Sequence, residues 1–274
     1  MIKISIITVC YNAESTICQT IESVLAQTYP YVEYIIIDGN STDNTLIYIQ
    51  NFKKKILVKG YEFIYLSEKD SGIYDAMNKG ILLSTGSWIH FRNSGDYFFD
   101  HEILEKIFMS KINKETKIIH GDIRMYDNYG YCDKKPPILK QSYKECMPVW
   151  HPSTFVNTEL HKKLLFDISF HLSGDYDFFY KCCESNLSFQ YFPLIVALVN
   201  VEEGASINNY TLGLKENFRL QKKNKISLNY ITLNISNIII LIRSFLKRLL
   251  PSNYTNKIKI KSRLKEGWNI NPYN

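Results

Sequence analysis

The sequence predicts an α/β fold: a mostly parallel sheet flanked by helices. Strand-like and helix-like stretches alternate through the first hundred residues. The first strands are continuous β-branched runs, as expected of strands buried on both faces. Each strand also ends in a polar turn, where sheets of this kind place their ligands.

Residues 2–9 form the first apolar run. Asn12 is then placed to cap a helix, with Glu14 in its first turn and Ile17, Ile21, Val24 and Leu25 on one face. Tyr29-Pro30 ends it. A strand over 32–37 leads to the turn Asp38-Gly39-Asn40-Ser41. Ser41 or Thr42 is placed to cap the next helix, which carries Leu46, Ile49 and Phe52 inward. A strand over 63–66, a helix over 72–83 and a strand over 87–91 follow. Beyond Asp100 the alternation loosens. The pattern predicts a helix over 102–109, a strand over 117–120, an exposed polar loop over 127–140 and a mixed strand segment over 148–156. A helix over 175–184 and one or two strands over 189–201 come next, and from Tyr210 the chain reads as helical and basic.

A chain of 274 residues with 45% hydrophobic content can bury one large α/β core and carry a short appendage. Gly and Pro are not enriched, which argues against extended disorder. The net charge of +6 permits an anionic partner without naming one. Cys10, Cys18, Cys132, Cys146, Cys182 and Cys183 form no C-x-x-C pair, so reduced thiols in a cytosolic compartment are expected. The N-terminus lacks the features of a signal peptide. The apolar stretch 231–250 is interrupted by Asn234, Ser236, Asn237, Arg243, Lys247 and Arg248, and is not expected to span a bilayer.

Four constellations could carry chemistry. Asp38, at a strand end, could accept hydrogen bonds from a uracil N–H or a ribose hydroxyl, or simply close its own turn. Asp96, in Asn93-Ser94-Gly95-Asp96, is a candidate oxygen ligand for Mn²⁺ or Mg²⁺, the hard cations that neutralise a diphosphate; otherwise it belongs to a turn. Asp175, in Gly174-Asp175-Tyr176-Asp177, could take the proton of a sugar hydroxyl or cap its helix. His151, before Pro152, could meet a diphosphate or an acceptor, or be structural.

Together these stretches resemble glycosyltransferase family 2, with its nucleotide-binding GT-A fold. The resemblance rests on Ile6-Ile7-Thr8-Val9-Cys10-Tyr11-Asn12, on residues 22–29, on Ile36-Ile37-Asp38-Gly39-Asn40-Ser41-Thr42-Asp43, and on residues 67–80 with Ser71-Gly72-Ile73-Tyr74-Asp75-Ala76-Met77-Asn78. Asn93 to Asp96, His151 to Phe155 and Ser173 to Phe178 continue it, so that it covers about the first 200 residues. It implies a GT-A domain over 1–205, with a nucleotide-binding half over 1–100 and an acceptor-binding half over 101–205. A helical basic segment over 206–274 would follow.

The resemblance also implies roles. Thr8, Tyr11 and Asp38 would line the uridine pocket; Asp70, Gly72 and Asn78 would sit near the nucleotide and its phosphates. Asp96 would be the surviving carboxylate of the metal-binding D-x-D motif, and Asp175 the general base of an inverting UDP-sugar transfer. Two departures stand out: Ser94-Gly95-Asp96 keeps only the final acid, and Arg92 occupies a position that is usually apolar.

The segment 243–265 holds eight basic residues and no acidic one, beside an apolar stretch. This suits an anionic membrane surface on the inner face of the cell membrane, and a lipid-linked acceptor such as a polyprenyl diphosphate carrier. A helix packed on the core, or an oligomer contact, would show the same pattern. The implied context is bacterial surface polysaccharide synthesis, such as O-antigen or capsule. Two other readings stay open. A nucleotidyltransferase would normally place a Gly-rich basic loop where this chain has Tyr11-Asn12-Ala13-Glu14. A non-catalytic binding protein would have no need of Asp96 and Asp175. A nucleic-acid partner is not expected, because the basic residues cluster at one end with few aromatics among them.

Overall fold

The computed structural model describes residues 1–137, 143–144, 146–202, 209–224 and 252–270. Strand β1 (Ile4–Cys10) lies at the centre, parallel to β2 (Val32–Asp38) on one side and to β4 (Trp88–Phe91) on the other. β3 (Glu62–Ser67) extends the parallel sheet beyond β2. Every residue of β1 and β2 is buried, the polar Ser5, Thr8, Glu33 and Asp38 among them.

Alternate side chains feed two apolar layers. Ile4 and Ile6 pack with α1 (Ile17–Leu25), α2 (Thr45–Val58) and α4 (Ile103–Phe108). Ile7 and Val9 pack on the other face with α3 (Ile73–Leu83) and with Phe166, Phe170 and Phe178. The order β3-β2-β1-β4 reverses direction between β1 and β4, so the carboxyl ends of these two strands flank the crevice where such sheets bind ligands.

The second half continues the sheet in mixed fashion. β8 (Thr154–Asn157) pairs antiparallel with β4 and with β6 (Thr116–Asp127). A 3₁₀ turn, His151–Ser153, precedes β8, and α5 (Thr158–Lys163) follows it. β9 (Ser188–Asn200) runs parallel to β6 and also takes the two-residue β5 (Tyr97–Phe98), antiparallel. Helix α6 (Gly174–Glu184) leads into β9.

Several expectations are corrected. Part of the loop expected over 127–140 is a hairpin: β6 runs to Asp127 and pairs with β7 (Gly130–Lys134). Arg124 and Asp133 face each other across it at 2.6 Å, and Asp127 accepts the turn N–H of Tyr129 at 2.8 Å. The polarity that suggested a loop therefore belongs to cross-strand pairing. Asn12 caps no helix. It takes a left-handed φ of 47° and accepts the Thr42 N–H, while α1 starts at Ile17. Helix α2 begins at Thr45, beyond Ser41 and Thr42, and Asp43 accepts its first N–H at 3.0 Å.

Two stretches of the basic C-terminal segment pack on the body of the protein. Helix α7 (Tyr210–Lys223) lies against the turn before α6. Helix α8 (Ser252–Lys265) leads to β10 (Asn269–Ile270), which adds a strand to β7. Lys259 and Arg263 reach the buried carboxylate of Asp127, at 3.7 and 3.2 Å, while Lys261 and Lys265 remain exposed. Arg243, Lys247, Arg248 and the apolar stretch 231–250 lie outside the described residues. Among the described residues no helix is long and apolar enough to cross a membrane.

Candidate active site

The turns after β1 and β2 are tied to each other. Asn12 N–H donates to Ser41 Oγ at 2.8 Å, Ala13 N–H to Thr45 Oγ1 at 2.8 Å, and Glu14 N–H to Asp43 at 3.0 Å. Above them Tyr11 is 63% exposed, a large ring left facing solvent at a strand end. Gly39 has no room for a side chain: a Cβ there would lie 2.6 Å from Asp70 Oδ2 and 3.3 Å from the Tyr11 ring. Tyr11, Gly39 and Asp70 thus converge at the ends of β1, β2 and β3. Asp70 also accepts the Gly72 N–H at 3.0 Å, and Gly72, at a φ of 131°, opens α3. An exposed ring, a bare backbone and a carboxylate suit a nucleoside, which needs a stacking face and an acceptor.

Of the residues expected on this surface, Thr8 and Asn78 lie elsewhere and Asp38, at the end of β2, is turned inward. Thr8 is fully buried, with its hydroxyl bonded to Tyr34 Oη at 3.0 Å and to the Arg92 carbonyl at 2.8 Å. Asn78 clamps the chain near α5, donating to the Phe166 carbonyl and accepting the Phe166 N–H, both at 2.9 Å. Asp38 is fully buried. Its carboxylate accepts from Ser41 N–H at 3.0 Å, Ser67 Oγ at 2.7 Å, Ser41 Oγ, and more weakly Cys10 Sγ at 3.7 Å. A carboxylate has about four acceptor positions. Ser41 and Ser67 take three of them, and the single Cys10 S–H lies 3.7 Å from both Asp38 Oδ1 and the Ile37 carbonyl, so Asp38 organises its own turn.

Beyond β4 the chain makes a tight turn that carries Asp96. Gly95, at a φ of 98°, donates its N–H to Thr20 Oγ1 at 3.0 Å, and Ser94 Oγ bonds Thr16 Oγ1 at 2.8 Å. The turn is therefore moored to the start of α1. Beneath it Arg92 is fully buried. It donates to the Tyr97 carbonyl at 3.1 Å and to His90 Nε2 at 2.6 Å, and stacks 4.0 Å from the Phe98 ring centre. His90 Nδ1 in turn donates to the Thr154 carbonyl at 2.7 Å. Burial and the Arg92 charge hold His90 far below its ordinary pKa, so it is neutral and its Nε2 is free to accept. Arg92 thus fills an apolar position with its head stacked on Phe98 and its two terminal nitrogens bonded, while its buried Nε has no partner.

Burial raises the Asp96 pKa to about 6, and the Arg92 charge opposes this. A desolvated carboxylate regains stability from a cation, and the buried Asn93 Oδ1 nearby has no partner. These two oxygens fit a hard divalent cation. Among the described residues, one set of three ligand-type side chains lies within mutual reach: Asp100, His101 and Glu102. Lys106 already pairs with both of its acids, at 2.5 and 3.0 Å, and Asp96 is not part of it.

Asp175 opens α6 and retains one fifth of its side-chain exposure. Tyr74 Oη donates to its Oδ1 at 3.0 Å, and His151 Nδ1 stands 3.9 Å from Oδ2. Burial raises its pKa to about 6. The Tyr74 contact depends on Gly174, where a Cβ would come within 2.8 Å of the Tyr74 ring. His151 is packed among Phe91, Phe166 and Phe179, at ring distances of 5.3, 5.9 and 6.1 Å. Burial and the Arg92 charge push its pKa down to about 4, so it brings no positive charge to a diphosphate. Phe91 on β4 backs His151, and the Arg92 charge bears on both His151 and Asp96. Phe91 closes β4, and the turn that carries Asp96 follows the same strand.

Tyr74 stands within the stretch 67–80 that carried the resemblance but is not singled out there, because its contact is to a helix about a hundred residues later.

Comparison with known proteins gives the same architecture and a lineage. The mycobacterial "PGL/p-HBAD biosynthesis glycosyltransferase" of Mycobacterium bovis is 26% identical over 210 residues, covering 74% of this chain and 78% of the relative. The S. aureus TarS fragment 1-349, solved in complex with UDP-GlcNAc, superposes with a TM-score of 0.62 at 18% identity, covering 76% of this chain and 61% of that one. The mannosyltransferase PcManGT from Pyrobaculum calidifontis, solved with GDP-Man and Mn²⁺, gives 0.58 at 16% identity, covering 72% and 56%. The chain spans about three fifths of the length of these solved proteins, with which it shares a fold. The family described as "Glycosyl transferase family 2" matches residues 5–169, more than half of the sequence, and the chain belongs to that family.

Proposed function

We propose that the protein is an inverting glycosyltransferase that moves a sugar from a UDP-sugar to the hydroxyl of a lipid-linked saccharide. The observation that carries this reading is the state of Asp175. It is a carboxylate with a pKa of about 6, held by Tyr74 at the carboxyl end of the same sheet that carries Asp96. At neutral pH such a group is ionised and ready to accept a proton, which is what a weak sugar-hydroxyl nucleophile needs. Tyr11, Gly39 and Asp70 bind and orient the nucleoside. As the acceptor oxygen bonds to the anomeric carbon, its proton passes to Asp175 and the bond from that carbon to the UDP oxygen breaks. Displacement from the opposite side inverts the anomeric centre and leaves no sugar on the enzyme. Asp96 and Asn93 would hold Mn²⁺ or Mg²⁺, which supplies charge neutralisation to the departing diphosphate.

UDP as the donor nucleotide is supported by solved proteins of the same fold, one of which was captured with UDP-GlcNAc. The acceptor and the location rest on the basic and apolar pattern of 231–265, which suits attachment to the cytoplasmic face of a membrane holding polyprenyl diphosphate saccharides. O-antigen or capsule synthesis is the corresponding biological setting. Nucleic acid is not among the proposed partners.

The test is the thermal unfolding midpoint with UDP, GDP or single-stranded nucleic acid, each with and without Mn²⁺. A ligand bound only by the native state raises it by mass action. UDP is expected to raise the midpoint more with Mn²⁺ than without, and Asp96→Ala to abolish that difference. A rise with nucleic acid and none with any nucleotide would overturn the enzymatic reading.

A further inference from the structure

Asp175 and helix α7 both lie beyond residue 169, where the family match ends. In sequence α7 belongs to the basic C-terminal segment, yet its packed face is built around the turn that presents Asp175. Glu216 is only 7% exposed. Its Oε1 accepts the His171 N–H at 2.7 Å, and its Oε2 accepts the N–H groups of Leu172 and Ser173 at 2.8 and 3.0 Å. Three consecutive backbone donors thus converge on one carboxylate, two residues before Asp175. The same helix face adds Asn217, which accepts from Ser173 Oγ at 2.7 Å, and Arg219, which donates to the Ser169 carbonyl at 3.1 Å and to its hydroxyl at 2.8 Å. Lys223 reaches Asp167 at 3.3 Å and the buried Asp177 at 3.5 Å.

This is more than a helix needs in order to pack. An apolar face would suffice for docking, and Leu220 supplies one. The polar groups instead hold the backbone from 167 to 177 at both ends of the Asp175 turn. Tyr74 then fixes the carboxylate itself.

We infer that Glu216 is a positioning residue for the reaction: it fixes the turn 171–173, so that α7 of the C-terminal segment is an integral part of the active site. The inference rests on the reading of Asp175 as the base. It acts in two separable ways. Through geometry, the three N–H bonds set where Asp175 stands. Through charge, the Glu216 carboxylate opposes ionisation of Asp175. The groups facing Asp175 are Tyr74 from α3, His151 from the 3₁₀ turn and Glu216 from α7. Tyr74 favours the ionised form, His151 is neutral, and Glu216 disfavours it.

The experiment uses the full chain and compares Glu216→Asp, Glu216→Gln and Asp175→Asn. Steady-state sugar transfer is followed from pH 5 to 9, with UDP binding measured by thermal shift. Glu216→Asp keeps the charge and shortens the reach. It should lower kcat about 10- to 100-fold, the usual cost of a misplaced catalytic group, with the acid limb of the pH profile unmoved. Glu216→Gln removes the charge and, because its amide nitrogen donates, leaves at least one of the three N–H groups without an acceptor, so kcat should fall here too. This variant should also move the acid limb to lower pH, because Asp175 ionises more easily. Both should leave the donor KM and the UDP-induced shift unchanged, which also shows that the variants fold. Wild-type kcat and pH profile in both Glu216 variants, beside an inactive Asp175→Asn, would overturn the positioning role and leave the base in place. Wild-type transfer by Asp175→Asn would overturn the base assignment, and this inference with it. A change confined to donor KM would also overturn it, since it would place Glu216 on the donor side.

Discussion

Around Asp38, the partners that hold the carboxylate come from residues 10, 41 and 67, which are strand ends and turns of adjacent parallel units. Around Asp175 the carboxylate is held by Tyr74, 101 residues earlier, and the turn before it by Glu216, about forty residues later. The donor side is built by repetition of one local device: strand, polar turn, helix. The acceptor side is assembled from distant segments that meet only after the whole chain has folded. Local construction leaves a signature in sequence, whereas long-range construction leaves isolated residues with no pattern around them.

Asp175→Asn should give the largest effect and mark the acceptor side as the seat of proton transfer. Sugar transfer is expected to fall about 10²- to 10⁴-fold, the usual contribution of a positioned base, with UDP binding retained. The same change should stabilise the ligand-free protein. The folded-state pKa of about 6 lies above the unfolded value. Between about pH 4 and 6 the folded state therefore keeps a proton that the unfolded state has released, and stability falls as pH rises through that window. Asn removes this penalty, which is about 1–3 kcal/mol at pH 7.5 by the size of the shift. Equal unfolding midpoints for the two proteins at pH 7.5 would contradict the assignment of a desolvated carboxylate.

Tyr74→Phe probes the same side more gently. Loss of the hydroxyl removes a donor to the ionised base, so the acid limb should move to higher pH, opposite to the shift expected from Glu216→Gln. A hydrogen bond to a charged group contributes about 1.5–3 kcal/mol, so transfer near pH 6 should fall roughly tenfold or more and recover substantially by pH 8.5. A loss of the same size at every pH would show that Tyr74 serves only packing.

Gly39→Ala should have the smallest effect and mark the donor side. Its Cβ would press Asp70 and Tyr11 apart, since the gap to Asp70 Oδ2 is 2.6 Å. Asp70 is a flexible side chain that can yield, so the donor KM should rise only a few-fold, about 1 kcal/mol or less. Steady kcat and an unmoved acid limb would sharpen the contrast between the sides; a drop in kcat would blur it.

The alternation of the first hundred residues predicted β1 to β4 and the helices between them because strands of a parallel sheet read as mainly apolar, β-branched runs. The same logic located Tyr11, Asp70, Asp96 and Asp175, since strand-end turns and helix starts can be read from neighbours a few positions away. The hairpin of β6 and β7 was not legible, because its strands are polar and their pairing of Arg124 with Asp133 depends on register. Nor were the inward turn of Thr8, the bonds of Asp38 to Ser41 and Ser67 or the clamp made by Asn78. A sequence shows that a polar residue stands near a site but not whether its hydrogen-bonding capacity is already taken.

From the sequence alone came the fold class, the family resemblance and the candidate acids, because periodicity and short motifs are local properties of the chain. Tertiary structure decided which of those acids are free to act. It turned Asp38 toward Ser41 and Ser67, buried Arg92 between His90 and Phe98, and set Asp175 between Tyr74 and a turn held by Glu216. The physical reason is that desolvation and hydrogen-bond partnership are properties of a residue's surroundings, and those surroundings are gathered from parts of the chain far apart in sequence.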